Sequence, residues 1–364
     1  MLENWVSPVK SKQIFENLEQ EAIGNKITVY QKKFPSLKQT KVALVGVGAV
    51  NVNAIRSQLY QLDDPFSLSI ADIGNTRKKE TEFLIPLLKE ILDSGIFPIL
   101  IGEEAVLTQA QYKAFLSLQK AISLAVIDER IPFHPANNHS SYYLNDIVQN
   151  DGSQLFHLGM IGVQAHFGPH QSYRLAEEKN FDIARLGNAR ANISELEPVI
   201  RDADLLSFHL AAIRQIEAPG QKKGSPGGFI LEEACQIARY AGMSDKLKSF
   251  GIFGFSKKYD RDNQTSQLVA QMIWYFLEGF ANRKKDYPAS NTGLVEYIVE
   301  LKKLNYQLTF WKSKQSGRWW MQIPVRTKKN IERHRLVPCS YNDYKKACQE
   351  ELPDRLLNAL KRFI

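Results

Sequence analysis

Seven short apolar runs, rich in β-branched residues, alternate with longer segments of helical period, and this alternation constrains the fold more than any other feature of the sequence. The runs are KVALVGV (41–47), SLSIAD (67–72), FPILIG (97–102), SLAVID (123–128), FDIARLG (181–187), DLLSFHL (204–210) and SFGIFGF (249–255), and each reads as a buried strand. Helices are predicted between them, most clearly over 77–94, 104–120, 229–242 and 264–282. An amphipathic stretch, Ile14 to Ile23, precedes the first run. Strand and helix repeated in this way predict a parallel sheet covered on both faces. Ligands of such sheets sit at the carboxyl ends of the strands, so the residues just after each run are the ones to read for chemistry.

A chain of 364 residues with 44% hydrophobic residues can bury the core of one large domain and still carry an appendage. It has no apolar run of about 18 residues, and its first thirty residues lack the basic-then-apolar layout of a signal peptide. The expectation is a soluble, cytoplasmic protein with no membrane partner. Cys235, Cys339 and Cys348 have no CxxC spacing, which indicates neither a disulfide framework nor a zinc site. The formal charge of +8 is concentrated after residue 285, where fifteen Lys/Arg face eight Asp/Glu. The linker DYPASNTG (286–293) marks the change, so the chain divides into an α/β domain, 1–285, and a basic extension, 286–364, packed on or beside it.

Within the extension, LTFWKSKQSGRWWMQIPV (308–325) predicts a hairpin around Gly317, followed by the basic stretch RTKKNIERHR and a helix opening at Pro353. Trp311, Trp319 and Trp320 interleave with Lys312, Lys314 and Arg318. Basic groups between aromatics can hold a single strand of nucleic acid by stacking and phosphate contact. The same alternation is what a hairpin needs to pack one face on a larger domain, and packing is the reading preferred here. Nucleic acid is not an expected partner.

KVALVGVGAVNVNAIRSQL sets Gly46 and Gly48 after a strand, with Asp72 at the end of the next one, and so resembles a dinucleotide fingerprint. The third glycine, which lets the helix pack closely, is replaced by Asn51. Small residues making a tight turn account for the pattern.

IGEEAVLT (101–108), VIDERIP (126–132), LLSFHLAAI (205–213) and APGQKKGSPGGFILEEA (218–234) stand in order at strand ends, and together they resemble segments of the ureohydrolases (arginase, agmatinase and formimidoylglutamase), most of all the bacterial formimidoylglutamase-like proteins, over roughly residues 40–285. IGEEAVLT (101–108) resembles their Gly-Gly-Asp-His-Ser segment, VIDERIP (126–132) their Asp-Ala-His-x-Asp, and LLSFHLAAI (205–213) their Ser-x-Asp-x-Asp. APGQKKGSPGGFILEEA (218–234) resembles their Ala-Pro-Gly, Gly-Gly and glutamate, and KYDRDNQTSQLVAQMIWYFLEGF (258–280) their last helix. The resemblance implies a three-layer arginase-type α/β fold with a parallel central sheet, here followed by a small β-hairpin/helix extension.

It also implies chemistry on two manganese ions that share a water and lower its pKa, held by two histidines and four aspartates. Carried over position by position, those six ligands fall on Ala105, Asp128, Arg130, Pro132, His209 and Ala211, and only Asp128 is unchanged. A guanidinium presents only N–H donors and cannot ligate a cation. Arg130 is therefore read as a metal surrogate, paired with Asp128 and with Glu103 and Glu104; the competing reading has it pointing to solvent. Asp128 could equally cap the turn after its strand, and His209 could be a satisfied core residue. Glu233 matches the glutamate that grips the substrate's guanidinium or formimidoyl end in the family, although an acidic residue early in a helix is ordinary. His139, with His134, His166 and His170 nearby, lies where some relatives keep a proton-shuttling histidine.

The expectation is thus an arginase-family pseudoenzyme with a binding or scaffolding role, no catalytic residues, and a pocket lined by Glu103, Glu104, Asp128, Arg130, His209 and Glu233. No cofactor is expected. The alternative is a metal-dependent hydrolase of linear amidines, similar to formimidoylglutamase, using manganese at an altered site such as Asp128, His209 and Glu104. A protein partner or small ligand is left unnamed, and a homo-oligomer is open.

Overall fold

The computed structural model describes residues 2–118, 121–150, 154–287, 292–302, 305–326 and 332–363. Ten strands form the main sheet: β1 (Val6–Ser7), β2 (Thr28–Val29), β3 (Val42–Gly46), β4 (Ile70–Thr76), β5 (Phe97–Gly102), β6 (Ile122–Ile127), β7 (Leu155–Val163), β8 (Asp182–Arg185), β9 (Leu205–His209) and β10 (Ser249–Phe253). Their order is β1-β4-β3-β5-β10-β9-β6-β7-β8, with β2 also beside β4. Every pairing is parallel except that of β1 with β4.

Side-chain alternation explains the three layers. On β3, Val42 and Leu44 enter one core with Val52 and Ile55 of α1 (Ala49–Leu59), while Ala43 and Val45 enter another with Leu84 and Leu88 of α2 (Thr81–Asp93). The same two-residue period on β6 sends Ala125 and Ile127 one way and Leu124 and Val126 the other. Helix α3 (Leu107–Phe115) follows β5, and α4 (Leu231–Met243) and α5 (Gln264–Ala281) flank the first core. A Cβ on Gly242 would lie 2.1 Å from Phe276 O, and one on Gly279 would lie 2.4 Å from Arg239 O, so α4 and α5 touch backbone to backbone at these two positions. None of the helices among the described residues is long and apolar enough to cross a membrane.

Several expectations are corrected. β7 was not among the seven runs, because His157, Gly159 and Gly162 break its apolar sequence. β4 begins three residues later than SLSIAD and runs on through the polar residues Asp72, Asn75 and Thr76, all buried. Asp72 and Asn75 are satisfied by Arg56, whose Nε and Nη2 donate to Asp72 at 2.6 and 2.9 Å and whose Nη1 donates to Asn75 Oδ1 at 2.7 Å. Tyr60 Oη donates to the same carboxylate at 2.9 Å. Asp72 is therefore the internal partner of an arginine, not a ribose acceptor. Gly48, at φ 89°, makes the turn into α1, as the tight-turn reading requires. In the amphipathic stretch from Ile14 to Ile23, these two isoleucines are buried from two separate short helical turns.

The C-terminal extension is more than a hairpin. β11 (Leu294–Leu301), β12 (Tyr306–Ser313), β13 (Trp319–Arg326) and β14 (Glu332–Cys339) form a separate antiparallel meander in that order, and the expected hairpin is its β12–β13 pair with Gly317 at φ 73°. Of the basic stretch, 327–331 lie outside the described residues, and Glu332 onward belongs to β14. Helices α6 (Tyr341–Cys348) and α7 (Asp354–Phe363), the latter opening after Pro353, complete a small core around Phe310, Trp319, Met321, Ile323 and Val337. Trp311, Trp319 and Trp320 are all buried. Arg201 of the main domain stacks on Trp320, 4.5 Å from the ring centroid, and donates to Trp319 O and Cys339 O. Arg318 donates to Met243 O, and Arg362 pairs with Asp182 at 3.2 Å. The tryptophans and several of the extension's cations thus serve packing and docking.

Candidate functional site

A cavity of about 540 Å³ opens where β5, β6, β9 and β10 end, the place that a parallel sheet reserves for ligands. Glu103 and Glu104 follow β5, Asp128, Glu129 and Arg130 follow β6, His209 ends β9, and Gly254 follows β10; all line the cavity. Loops bring in Tyr143, Gln221 and Lys222. A Cβ on Gly254 would sit 2.9 Å from His209 Cδ2 and Nε2, so only glycine lets the imidazole lie against this backbone.

Asp128 is at the centre. Tyr143 Oη donates to its Oδ2 at 2.9 Å, and His209 Nδ1 is 3.4 Å from the same oxygen, an ion-pair distance without hydrogen-bond alignment. Burial works to lower the His209 pKa, but Asp128 and then Glu129 outweigh it, and the imidazole titrates above its ordinary value. Burial, reinforced by Asp128, pushes the Tyr143 hydroxyl well above the usual phenol range, so it stays a donor. Burial also raises the Glu129 pKa, against the opposing pull of Arg130.

Arg130 does not make the expected pairs. Its Nη2 donates to Glu129 Oε1 at 2.8 Å and its guanidinium lies 5.2 Å from the Phe167 ring centroid; only its backbone N–H reaches Asp128, at 3.4 Å. Asp128 turns inward to Tyr143 and His209, while Arg130, about a third exposed, lies across the cavity wall. Glu103 and Glu104 are held by Lys222 Nζ at 3.1 and 2.8 Å, and Asn51 Nδ2 also reaches Glu103. The trio Asp128, His209 and Glu104 is therefore not assembled, and among the described residues no three His, Cys, Asp or Glu side chains gather as a metal-holding group.

Glu233 is the clearest displacement: it does not line the cavity. It accepts from the Ile230 backbone N–H at the start of α4, and both its oxygens accept from Arg190 Nε at 2.9 and 3.0 Å. The ordinary role of an acid early in a helix accounts for it. Ala105 and Ala211 line the cavity without donors, whereas Pro132 is buried outside it, its carbonyl accepting from Leu144 N. His139 lines the cavity with Nδ1 on Ser141; His134, His166 and His170 do not line it. The residues that sequence reasoning passed over are Glu129, Tyr143, Gln221 and Lys222. Three of them lie inside the segments quoted above, at positions with no ligand role in the resemblance; Tyr143 gave no local signal at all.

Residues 24–278 match the arginase family. The chain belongs to that family. Formimidoylglutamase of Staphylococcus haemolyticus is 25% identical over 221 residues, covering 57% of this chain and 70% of that protein. Among solved structures, formimidoylglutamase from Bacillus subtilis superposes with a TM-score of 0.63 at 16% identity, over 73% of this chain and 94% of that one. A Trypanosoma cruzi formiminoglutamase with Mn2+ gives 0.61 at 14% identity, over 69% and 97%. The arginase-like fold of the main domain follows. The extension lies beyond the family match, which ends at residue 278.

The manganese pair that the fold family implies can be tested against the donors present. Hard divalent ions need several carboxylate or imidazole ligands that converge on one point. Of the six corresponding positions only Asp128 and His209 carry a donor; they face one another, and Asp128 also holds Tyr143. Arg130 adds a cation to the same wall. These residues do not fit two manganese ions.

Proposed function

We propose that this arginase-family chain binds a small ligand in its strand-end cavity and does not hydrolyse one. The observation that carries this reading is the arrangement around Asp128: its partners are a tyrosine hydroxyl and an imidazole, and the neighbouring Arg130 guanidinium is paired with Glu129. Such a cluster balances its charges among its own residues, without a metal. The roughly 540 Å³ of space above it is a size that suits a small molecule.

A second reading is a formimidoylglutamase-like hydrolase, favoured by the similarity to the staphylococcal formimidoylglutamase. The two part on manganese. Purified protein, with manganese and with chelator, is assayed for formamide, ammonia or urea release from formimidoyl-glutamate and from guanidino compounds. The expected result is no difference between the two conditions and less than about a tenth of an equivalent of manganese retained. Manganese-dependent turnover would overturn the binding reading.

A further inference from the structure

We propose that two copies of this chain join through the extension, their β11 strands pairing antiparallel about a two-fold axis so that the two small sheets become one continuous sheet. β11 does not line the strand-end cavity, so this surface is independent of what the cavity binds.

β11 is an edge with nothing laid along it among the described residues. It runs for eight residues and stands at one end of the order β11-β12-β13-β14. Lys314 N donates to Gly293 O at 3.0 Å across the β11–β12 ladder, and Ser313 N, facing the other way, donates to Arg318 O at 2.9 Å. Alternation along the ladder then turns the N–H and C=O groups of Tyr297 and Val299 toward β12. Those of Leu294, Glu296, Ile298 and Glu300 point outward, where no described backbone group meets them. The bonds that dock the extension on the main domain involve other elements: Arg201 donates to Trp319 O and Cys339 O, Arg318 donates to Met243 O, and Arg362 pairs with Asp182. The Ile298 side chain is 57% exposed on the same edge strand. A long edge with open main-chain groups and an exposed apolar side chain is a template for another strand.

Charge decides which strand fits. A continuous sheet keeps the packed faces of both copies on one side, so a two-fold register is centred on a residue. Centred on Ile298, Glu296 would stand opposite Glu300 twice, a like-charge pairing that destabilises. Centred on Tyr297, the two glutamates would face Ile298 and Leu294 with no compensating charge. Centred on Val299, Glu296 falls opposite the exposed Lys302, the residue just after β11, and symmetry makes this pair twice. Tyr297 then stands opposite Leu301, and both already belong to the extension's core, which continues across the joint. The strand thus carries its own complement, which a second copy supplies.

The test is a sedimentation-velocity concentration series on the full chain and its variants. The unmodified protein should pass from monomer to dimer as concentration rises. Ile298→Pro removes an outward N–H and leaves the bonds of β11 to β12, and it should raise the dimer dissociation constant about tenfold or more. Lys302→Glu sets carboxylate against carboxylate and should weaken the dimer about tenfold, whereas Glu296→Lys combined with Lys302→Glu swaps the pair and should restore it to within about threefold. A monomer at every concentration overturns the inference, as does self-association that the charge reversal leaves untouched or that the swap fails to restore. The charge variants change exposed side chains only, so they decide the matter even if the proline variant fails to fold.

Discussion

Arg56 and Asp72 are both fully buried and complete each other's hydrogen bonds, with Tyr60 and Asn75 closing the network. Removing one charge leaves the other without compensation in a dry interior. Asp72→Asn is expected to cost about 3–5 kcal/mol in urea unfolding, and the double replacement Arg56→Met with Asp72→Leu to recover most of it. A single-variant loss below about 1 kcal/mol would contradict this account. The network also shows why single residues were only partly legible in the sequence. Asp128 and His209 were read at the correct strand ends because strand register places them there. Glu129 was passed over and Glu233 misplaced because which way a carboxylate turns depends on Arg130 and Arg190, and no local pattern encodes those partners.

At the scale of elements, α4 and α5 cross where Gly242 and Gly279 let their backbones meet. An alanine in a helix interior ordinarily adds up to about 1 kcal/mol over glycine. Gly242→Ala should do the opposite, destabilising by about 1–3 kcal/mol through overpacking. Gly187, also helical but with open space around its Cα, is the control, where alanine should be neutral or stabilising. Thermal melts should fall for Gly242→Ala and stay level or rise for Gly187→Ala; equal shifts would refute the close-contact argument. Elements were legible where hydrophobic period and strand length agreed, as in β5, which occupies the predicted 97–102. They were not where polar residues are satisfied internally, as in β4, or where glycines thin out the apolar pattern, as in β7. The extension's outer strands escaped because β11 alternates with exposed Glu296 and Glu300 and β14 arises from a stretch that reads as a basic loop.

For the molecule as a whole, the joint between the main domain and the extension is electrostatic on one side. Burial works to raise the Asp182 pKa, but His157 and then Arg362 outweigh it and hold the carboxyl at about 2. A carboxyl whose folded value is depressed contributes in full above its unfolded value of 3.8 and loses that contribution as pH falls through about 2. The gap in stability between the protein and Asp182→Asn should therefore shrink by about 2 kcal/mol, at most, between pH 5 and pH 2, read from urea midpoints. A gap that does not change with pH would refute it. The whole-molecule plan was the most legible level, since alternating strand and helix leaves few topologies open.

The two flanking strands of the main sheet carry a consequence of their own. β1 has two residues and β8 four, while the strands between them run to as many as nine. An edge so short offers a stranger's backbone almost no ladder to continue, which is a defence against runaway strand addition. Copies of this chain that meet along the edges of the main sheet must therefore do so through side-chain surfaces, whose composition evolution can tune, and not through the generic pairing of exposed main chain.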